Sequence, residues 1–151
     1  MYIAIFWQAR LYANAVLQVL YLAMIVYGWF QWQRGGANHS ALRVTRTPPA
    51  GWLVSVVAGL ALTLGIVFAM TRWTSAAMPW PDASTTAFSI VAEWMTARKW
   101  IENWIVWIVV DAVTTWMLVV QHLYASAVLY AAFVVLAAIG WIEWRKSLAS
   151  A

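Results

Sequence analysis

The chain has 151 residues, of which 65% are hydrophobic and only 9% are charged, and its formal net charge is +4. A soluble domain carries roughly 25% charged residues, so this composition indicates an integral membrane protein built from helices. The basic residues are scattered over predicted helix ends, which argues against a nucleic-acid-binding protein, and the lack of cysteine excludes disulfides and thiolate metal sites.

Apolar runs separated by short polar loops predict an all-α polytopic fold. In chain order we expect the end of one helix at 1–9, a full span at 11–33, and further helices at 51–72, 82–98, 102–120 and 123–144. Loops with paired prolines fall at 35–50 and 73–81, where a helix cannot continue.

Two of these helices carry packing signals. Ser55, Gly59 and Thr63 recur every four residues, which predicts a small-residue ridge that another helix approaches closely. The helix 82–98 is short and polar for a lone span, so we expect other helices to shield it, with Asp82 or Ser84 as its N-cap.

The distribution of basic residues predicts the orientation. If the span 11–33 ends in the cytoplasm, only Arg10 and Arg72 fall on the opposite side. The cytoplasmic side then collects Arg34, Arg43, Arg46, Arg98, Lys99, Arg145 and Lys146, together with the C-terminus.

The most informative stretch is the helix 102–120. Trp104, Trp107, Asp111 and Thr114 are spaced by three, four and three residues, which places them on one helical face. Asp111 lies nine residues past Glu102, which at ~1.5 Å per residue is ~13 Å deep, near the middle of a ~30 Å hydrocarbon core. An ionisable group at that depth usually marks a cavity, a substrate path or a partner charge.

The chain also contains an internal repeat. Residues 11–34 align with 123–146 at a fixed offset of 112, and nine of the 24 pairs are identical, including Leu-Tyr-Ala and Gly-Trp-x-x-Trp. Both copies run in the same direction, so this is a parallel repeat joined by the helix 51–72. The second repeat, 82–146, has three helices, whereas the first, 1–34, is incomplete. We expect a mis-assigned start, a fragment, or a partner subunit that completes it.

These residues carry a family resemblance. The patterns Gln8-Ala-Arg-Leu-Tyr-Ala, Tyr27-Gly-Trp-x-x-Trp and Glu102-Asn-Trp-x-x-Trp-x-x-x-Asp111 resemble those of the nicotinamide riboside transporter family, PnuC. The resemblance implies a SWEET-like fold of two three-helix bundles joined by a linker helix. It also implies facilitated uptake of a vitamin precursor across the bacterial inner membrane, with retention by intracellular phosphorylation and no ion coupling.

Nicotinamide riboside combines a flat pyridinium cation with ribose hydroxyls. Indoles attract such a cation by stacking and cation–π contact, worth ~0.5–2 kcal/mol each, and hydroxyls bind carboxylates and amides in a largely apolar pocket. The predicted site combines the helix 102–120 with the matching faces of the repeat segments 11–34 and 123–146. The predicted substrate-binding residues are Asp111, Trp107, Trp104, Asn103, Gln18, Asn14, Tyr21, Tyr130, Thr114 and Glu93.

Simpler structural explanations compete with several of these assignments. Asn103 is also a candidate helix cap, Gln18 and Asn14 are candidates for interhelical hydrogen bonds, and Glu93 could pair with Arg98. Glu102 is expected to start a helix or form a salt bridge. Interfacial anchoring explains Trp29, Trp32, Trp141 and Trp144.

We therefore predict a membrane transporter for nicotinamide riboside that works by alternating access. The alternatives are a thiamine or riboflavin carrier of the same family, or a non-transporting membrane subunit. His39 and His122 lie in loops without a second ligand, so no metal or other cofactor is predicted. No nucleophile or acid–base pair is apparent, so an enzyme is not expected. The sequence leaves self-association open.

Overall fold

The structure, a computed structural model, describes residues 12–36, 40–73 and 78–149, and for residues 12–21 it describes the backbone alone. The chain divides into two compact units, Met1–Arg43 and Val44–Ala151. The described helices are α1 (Tyr12–Arg34), α2 (Pro49–Trp73), α3 (Pro79–Ala97), α4 (Asn103–Val120) and α5 (Tyr124–Ala149). The helix end predicted at 1–9 lies outside the described residues.

The first unit contributes the single helix α1. At its C-terminal end the backbone N–H of Gly35 bonds to the carbonyl of Gln31 at 2.8 Å, and that of Leu42 bonds to Trp32 at 3.0 Å. These bonds satisfy carbonyls that the last helical turn leaves without partners, and they fold the following chain back on the helix end.

The second unit contains the other four helices, each packed against its neighbours in the chain. Three of them, α2, α4 and α5, are long and apolar enough to cross a membrane. The short, polar helix α3 lies between α2 and α4 and buries one face completely, as the sequence predicted. Its buried residues are Ala83, Ala87, Val91, Ala92, Met95 and Ala97.

The predicted small-residue ridge is confirmed on α2. Ser55, Gly59 and Thr63 are all buried, and the row extends to Val67. A Cβ atom added to Gly59 would lie 2.7 Å from the ring of Phe88 on α3, closer than real Cβ atoms approach other atoms. The ring of Phe88 therefore lies directly on the α2 backbone, which only a glycine at this position permits.

Two predicted helix ends are wrong. Helix α3 starts at Pro79, so Asp82 lies inside its first turn, and the N-cap is Met78 without a side-chain hydrogen bond. Pro79 and Pro81, interpreted as loop residues, fit a first turn because its N–H groups need no helical partners. Ser84 does not cap either: its hydroxyl bonds to the carbonyl of Pro81 at 2.9 Å. Helix α5 continues to Ala149, beyond the predicted end at 144.

The segment before α2 is tied to the loop between α3 and α4. The N–H of Thr45 bonds to the carbonyl of Lys99 at 3.0 Å, and the N–H of Ile101 bonds back to Thr45 at 2.9 Å. Lys99 has a left-handed backbone (φ 53°) and is partly buried, which lowers the pKa of its ammonium group because desolvation disfavours the charged form. We call this end, where the α3–α4 loop, the start of α2 and the end of α5 meet, the basic end.

Candidate functional site

A pocket of about 290 Å³ opens between α4 and α5. Three of the predicted site residues line its α4 wall, namely Trp104, Trp107 and Asp111. The α5 wall is apolar and consists of Phe133, Leu136 and Ala137. The pocket therefore combines one carboxylate with two indoles in an otherwise hydrophobic lining, as the helical spacing of the α4 residues predicts.

Among the described residues that line this pocket, Asp111 alone is acidic, and it is 5% exposed. It is the ninth of the 18 residues of α4, so it lies at the middle of a helix able to cross a membrane. Within the described part of the chain, no donor is hydrogen-bonded to its carboxylate and no cation lies within 4.0 Å of it. A carboxylate at the centre of a membrane helix costs ~2.5–3.5 kcal/mol, so this position favours a positively charged ligand.

Trp104 is held in place by α5. Its ring packs edge-on against Trp144, with 5.3 Å between the ring centroids. A Cβ atom added to Gly140 would lie 2.6 Å from Cη2 and Cζ2 of the same indole. The indole Nε1 is buried and has no hydrogen-bond partner among the described residues. Trp104 is thus fixed by packing, and its indole donor is buried without a partner in the described residues.

Trp107 is held by hydrogen bonds instead. Its Nε1–H donates to the hydroxyl of Thr96 at 3.3 Å, and that hydroxyl lies 3.1 Å from Oδ1 of Asn103. Asn103 is completely buried, and its Nδ2 donates to the carbonyl of Trp100 at 2.5 Å. The structure places Asn103 behind the pocket wall rather than in the lining, beside the Thr96 hydroxyl that Trp107 contacts.

Three other predicted residues lie away from the pocket lining. The hydroxyl of Thr114 bonds to its own helix at the carbonyl of Val110, at 2.8 Å. Glu93 is half-buried on α3, on another helix from those that form the pocket. Tyr130 packs edge-on against the lining residue Phe133, with ring centroids 5.5 Å apart, and so supports the α5 wall.

Asn14, Gln18 and Tyr21 belong to α1, where the structure describes the backbone alone. Their helical placement agrees with the predicted span at 11–33. Their side chains lie outside the described residues, so their role in binding stays a prediction.

The sequence interpretation missed Thr96 and did not select Leu136 and Ala137. Thr96 had no detectable signal, because its partners Asn103 and Trp107 lie seven and eleven residues further along the chain. Phe133 and Gly140 did carry a signal, since they share the α5 face that the repeat aligns with α1.

Residues that could hold a metal are sparse in the described ranges 12–36, 40–73 and 78–149, where no three histidine or acidic side chains cluster. His122 instead forms a 2.8 Å hydrogen bond with the hydroxyl of Tyr124. The pocket lining thus offers one carboxylate and two indoles in an apolar surround.

Comparisons with known proteins point to a family of transporters. The family model described as nicotinamide mononucleotide transporter matches residues 1–146. The nicotinamide riboside transporter PnuC of Escherichia coli is 28% identical over 95% of this chain and 70% of its own length. The riboflavin/roseoflavin transporter RibM of Streptomyces davaonensis is 29% identical over 69% of this chain and 50% of its own.

A solved structure shares the fold. The crystal structure of the vitamin B3 transporter PnuC superposes with a TM-score of 0.69 at 22% identity, covering 99% of this chain and 68% of that one. At this identity the similarity establishes the helical architecture.

Proposed function

Because this chain belongs to the nicotinamide mononucleotide transporter family, we propose that it moves nicotinamide riboside across a membrane by facilitated diffusion. The observation that carries the proposal is the pocket in which Trp104, Trp107 and Asp111 face the same space. The PnuC relatives, which are named for nicotinamide riboside, support the choice of substrate.

The chemistry of the substrate matches that of the pocket. The pyridinium ring is a permanent flat cation, which the two indoles attract through their faces and which neutralises the Asp111 carboxylate. The Asp111 carboxylate also accepts hydrogen bonds from the ribose hydroxyls, and a small turn of the Trp104 ring would bring its buried Nε1–H to the ligand. A neutral substrate would leave the carboxylate buried and uncompensated, so the pocket favours a cation over a flavin.

The proposal includes an orientation. The basic end carries Arg46, Arg98, Lys99, Arg145 and Lys146, whereas Arg72 is at the other end of α2. We assign the basic end and the C-terminus to the cytoplasm and the protein to a bacterial inner membrane, since cytoplasmic loops carry excess Lys and Arg.

The proposal also includes a SWEET-like architecture of two parallel three-helix repeats joined by α2. The match between residues 11–34 and 123–146 supports it, because identical residues keep one register over six helical turns. The repeat aligns Asn14, Gln18 and Tyr21 with Ser126, Tyr130 and Phe133. On this ground alone we assign the three α1 residues to substrate binding, and we propose alternating access between the repeats.

Self-association is a further part of the proposal. An apolar groove of about 240 Å³ runs between α2, α3 and α4, lined by Trp52, Phe88, Ile105 and Val109 among others. A helix of a second copy would fill such a groove. The mass of the detergent-purified protein, measured by light scattering, tests this directly, and a monomeric mass contradicts it.

The main experiment measures uptake and binding in parallel. Cells that lack their own nicotinamide riboside uptake should accumulate the labelled compound when they express this protein. Asp111→Asn keeps the size of the side chain but removes its charge, and should weaken binding by calorimetry at least about tenfold. Asp82→Asn is the matched control, because Asp82 lies in the first turn of α3 outside the pocket.

Competition with unlabelled vitamins tests the alternatives. Riboflavin, which appears in the name of RibM, is neutral. It should therefore compete poorly with labelled nicotinamide riboside for uptake by the wild type. Preferential uptake of riboflavin would replace the proposed substrate. Surface expression without uptake of nicotinamide riboside, thiamine or riboflavin would favour a non-transporting subunit.

A further inference from the structure

A second cavity, of about 540 Å³, lies at the basic end, away from the substrate pocket. Its lining mixes charged groups with an indole and aliphatic side chains, namely Arg46, Ile101, Glu102, Trp141, Arg145, Leu148 and Ala149. None of these residues has a part in the proposed transport chemistry.

Both arginines of this cavity are exposed and lack an acidic partner. Among the described residues, no carboxylate oxygen lies within 4.0 Å of the guanidinium of Arg46 or Arg145. By contrast, the nearby Lys146 is paired with Glu143 at 2.7 Å. Each guanidinium presents a planar fork of N–H donors that suits phosphate oxygens, and both arginines line the same cavity.

The backbone that carries Arg46 is fixed on both sides. Thr45 is bonded to Lys99 and Ile101, and the N–H of Thr47 bonds to the carboxylate of Glu102 at 2.8 Å. Arg145 belongs to the last turns of the continuous helix α5. The Glu102 carboxylate also lines the cavity and accepts two hydrogen bonds from Thr47 at its Oε2. Because its single negative charge stands against two arginines, the lining is net positive.

The apolar part of the lining identifies the kind of ligand. The cavity lining also contains the apolar side chains Ile101 and Leu148 and the indole of Trp141. A soluble phosphate has no apolar part that would contact them. The cavity is also at the ends of helices able to cross a membrane, at the level where lipid headgroups lie. An amphiphile with a phosphate head and acyl chains matches both parts.

We propose that this cavity binds the phosphate group of an anionic phospholipid, with Arg46 and Arg145 as its ligands and Trp141 against the glycerol region. The site holds a lipid at the cytoplasmic end of α5 and is separate from the substrate pocket. Its occupancy links the segment before α2, which carries Arg46, to the end of α5, which carries Arg145.

The test measures lipid binding by the purified protein with native mass spectrometry, using phosphatidylglycerol and phosphatidylcholine. Wild type should retain phosphatidylglycerol selectively and unfold at a higher temperature in its presence. The double variant R46Q/R145Q should bind phosphatidylglycerol about thirtyfold more weakly. The variant R46K/R145K keeps both charges and should retain most of the binding.

The matched control is R98Q/K146Q, which removes two positive charges from the same end but outside the cavity lining. An equal loss of binding in this control would show general surface attraction and overturn the site, as would unchanged binding in R46Q/R145Q. Glycerol 3-phosphate without lipid should not raise the unfolding temperature. An equal rise at the same concentration as phosphatidylglycerol would mean that the ligand is a soluble phosphate and not a lipid. Lipid binding and thermal unfolding are measured without transport. The lipid site can therefore be disproved while the proposed uptake of nicotinamide riboside still holds.

Discussion

The carboxylate of Glu102 accepts two hydrogen bonds from Thr47, one from its backbone N–H and one from its hydroxyl, both at 2.8 Å and across 55 residues of sequence. Pro48 and Pro49 follow Thr47 and have no N–H, so Thr47 carries the last donors before α2. The contact thus joins the start of α2 to the start of α4, and it places a negative charge at the positive end of the α2 dipole.

Glu102→Ala should destabilise the protein by about 1.5–3 kcal/mol, because Thr47 is buried and would lose a charged acceptor. Thermal unfolding in detergent measures this. Glu143→Ala is the control, since its pair with Lys146 is exposed and worth little. Equal unfolding temperatures for both variants would contradict the proposed role of Glu102.

Gly140→Ala should displace the indole of Trp104, since the new Cβ atom would lie 2.6 Å from its ring. We expect weaker substrate binding and a loss of ~1–3 kcal/mol in stability. Gly65→Ala is the matched control: it is a membrane-helix glycine with open space around it, and should be neutral or stabilising. Intrinsic tryptophan fluorescence and calorimetry of the two variants measure the displacement of the indole and the substrate affinity. Equal fluorescence and equal affinity in Gly140→Ala and Gly65→Ala would show that Gly140 does not position Trp104.

Thr96→Val should release Trp107, because the hydroxyl that accepts its Nε1–H is replaced by a methyl group. Substrate affinity should fall by several-fold, with a smaller change in the unfolding temperature. Thr71→Val is the control, as its hydroxyl bonds only to carbonyls of its own helix. Wild-type affinity in Thr96→Val would mean that the Thr96 bond does not orient Trp107.

Trp104→Phe tests whether the buried Nε1–H serves the ligand. An unpaired buried donor costs ~1–3 kcal/mol, and removing it offsets the packing that the smaller ring loses. Stability should therefore stay nearly unchanged, while substrate binding weakens. Trp116→Phe, at an exposed position of the same helix, should alter neither property. Reduced stability with unchanged affinity would show that the indole is needed only for packing.

Much of the fold could be predicted because its signals are local. Helix α4 followed from a single apolar run, and the ridge of Ser55, Gly59 and Thr63 followed from their spacing of four. Asp111 shares a face with Trp104 and Trp107 by helical geometry alone, so the α4 wall of the pocket was predictable as well.

Other parts depend on contacts that no local pattern encodes. Asn103 occurs in the predicted site motif, yet its side chain bonds to Thr96 and Trp100 behind the pocket. The start of α3 was misplaced because Pro79 is compatible with a loop and with a first helical turn, and only packing against α2 and α4 selects the helix.

The sequence by itself determined a helical membrane protein, the order of its helices and a mid-helix carboxylate flanked by indoles, because apolar length and helical period are properties of single segments. Only the tertiary structure decided that Thr47 is the partner of Glu102, that Gly140 makes room for Trp104, and that Arg46 and Arg145 share a cavity. These pairs are far apart in the chain, and the way the helices pack brings them together.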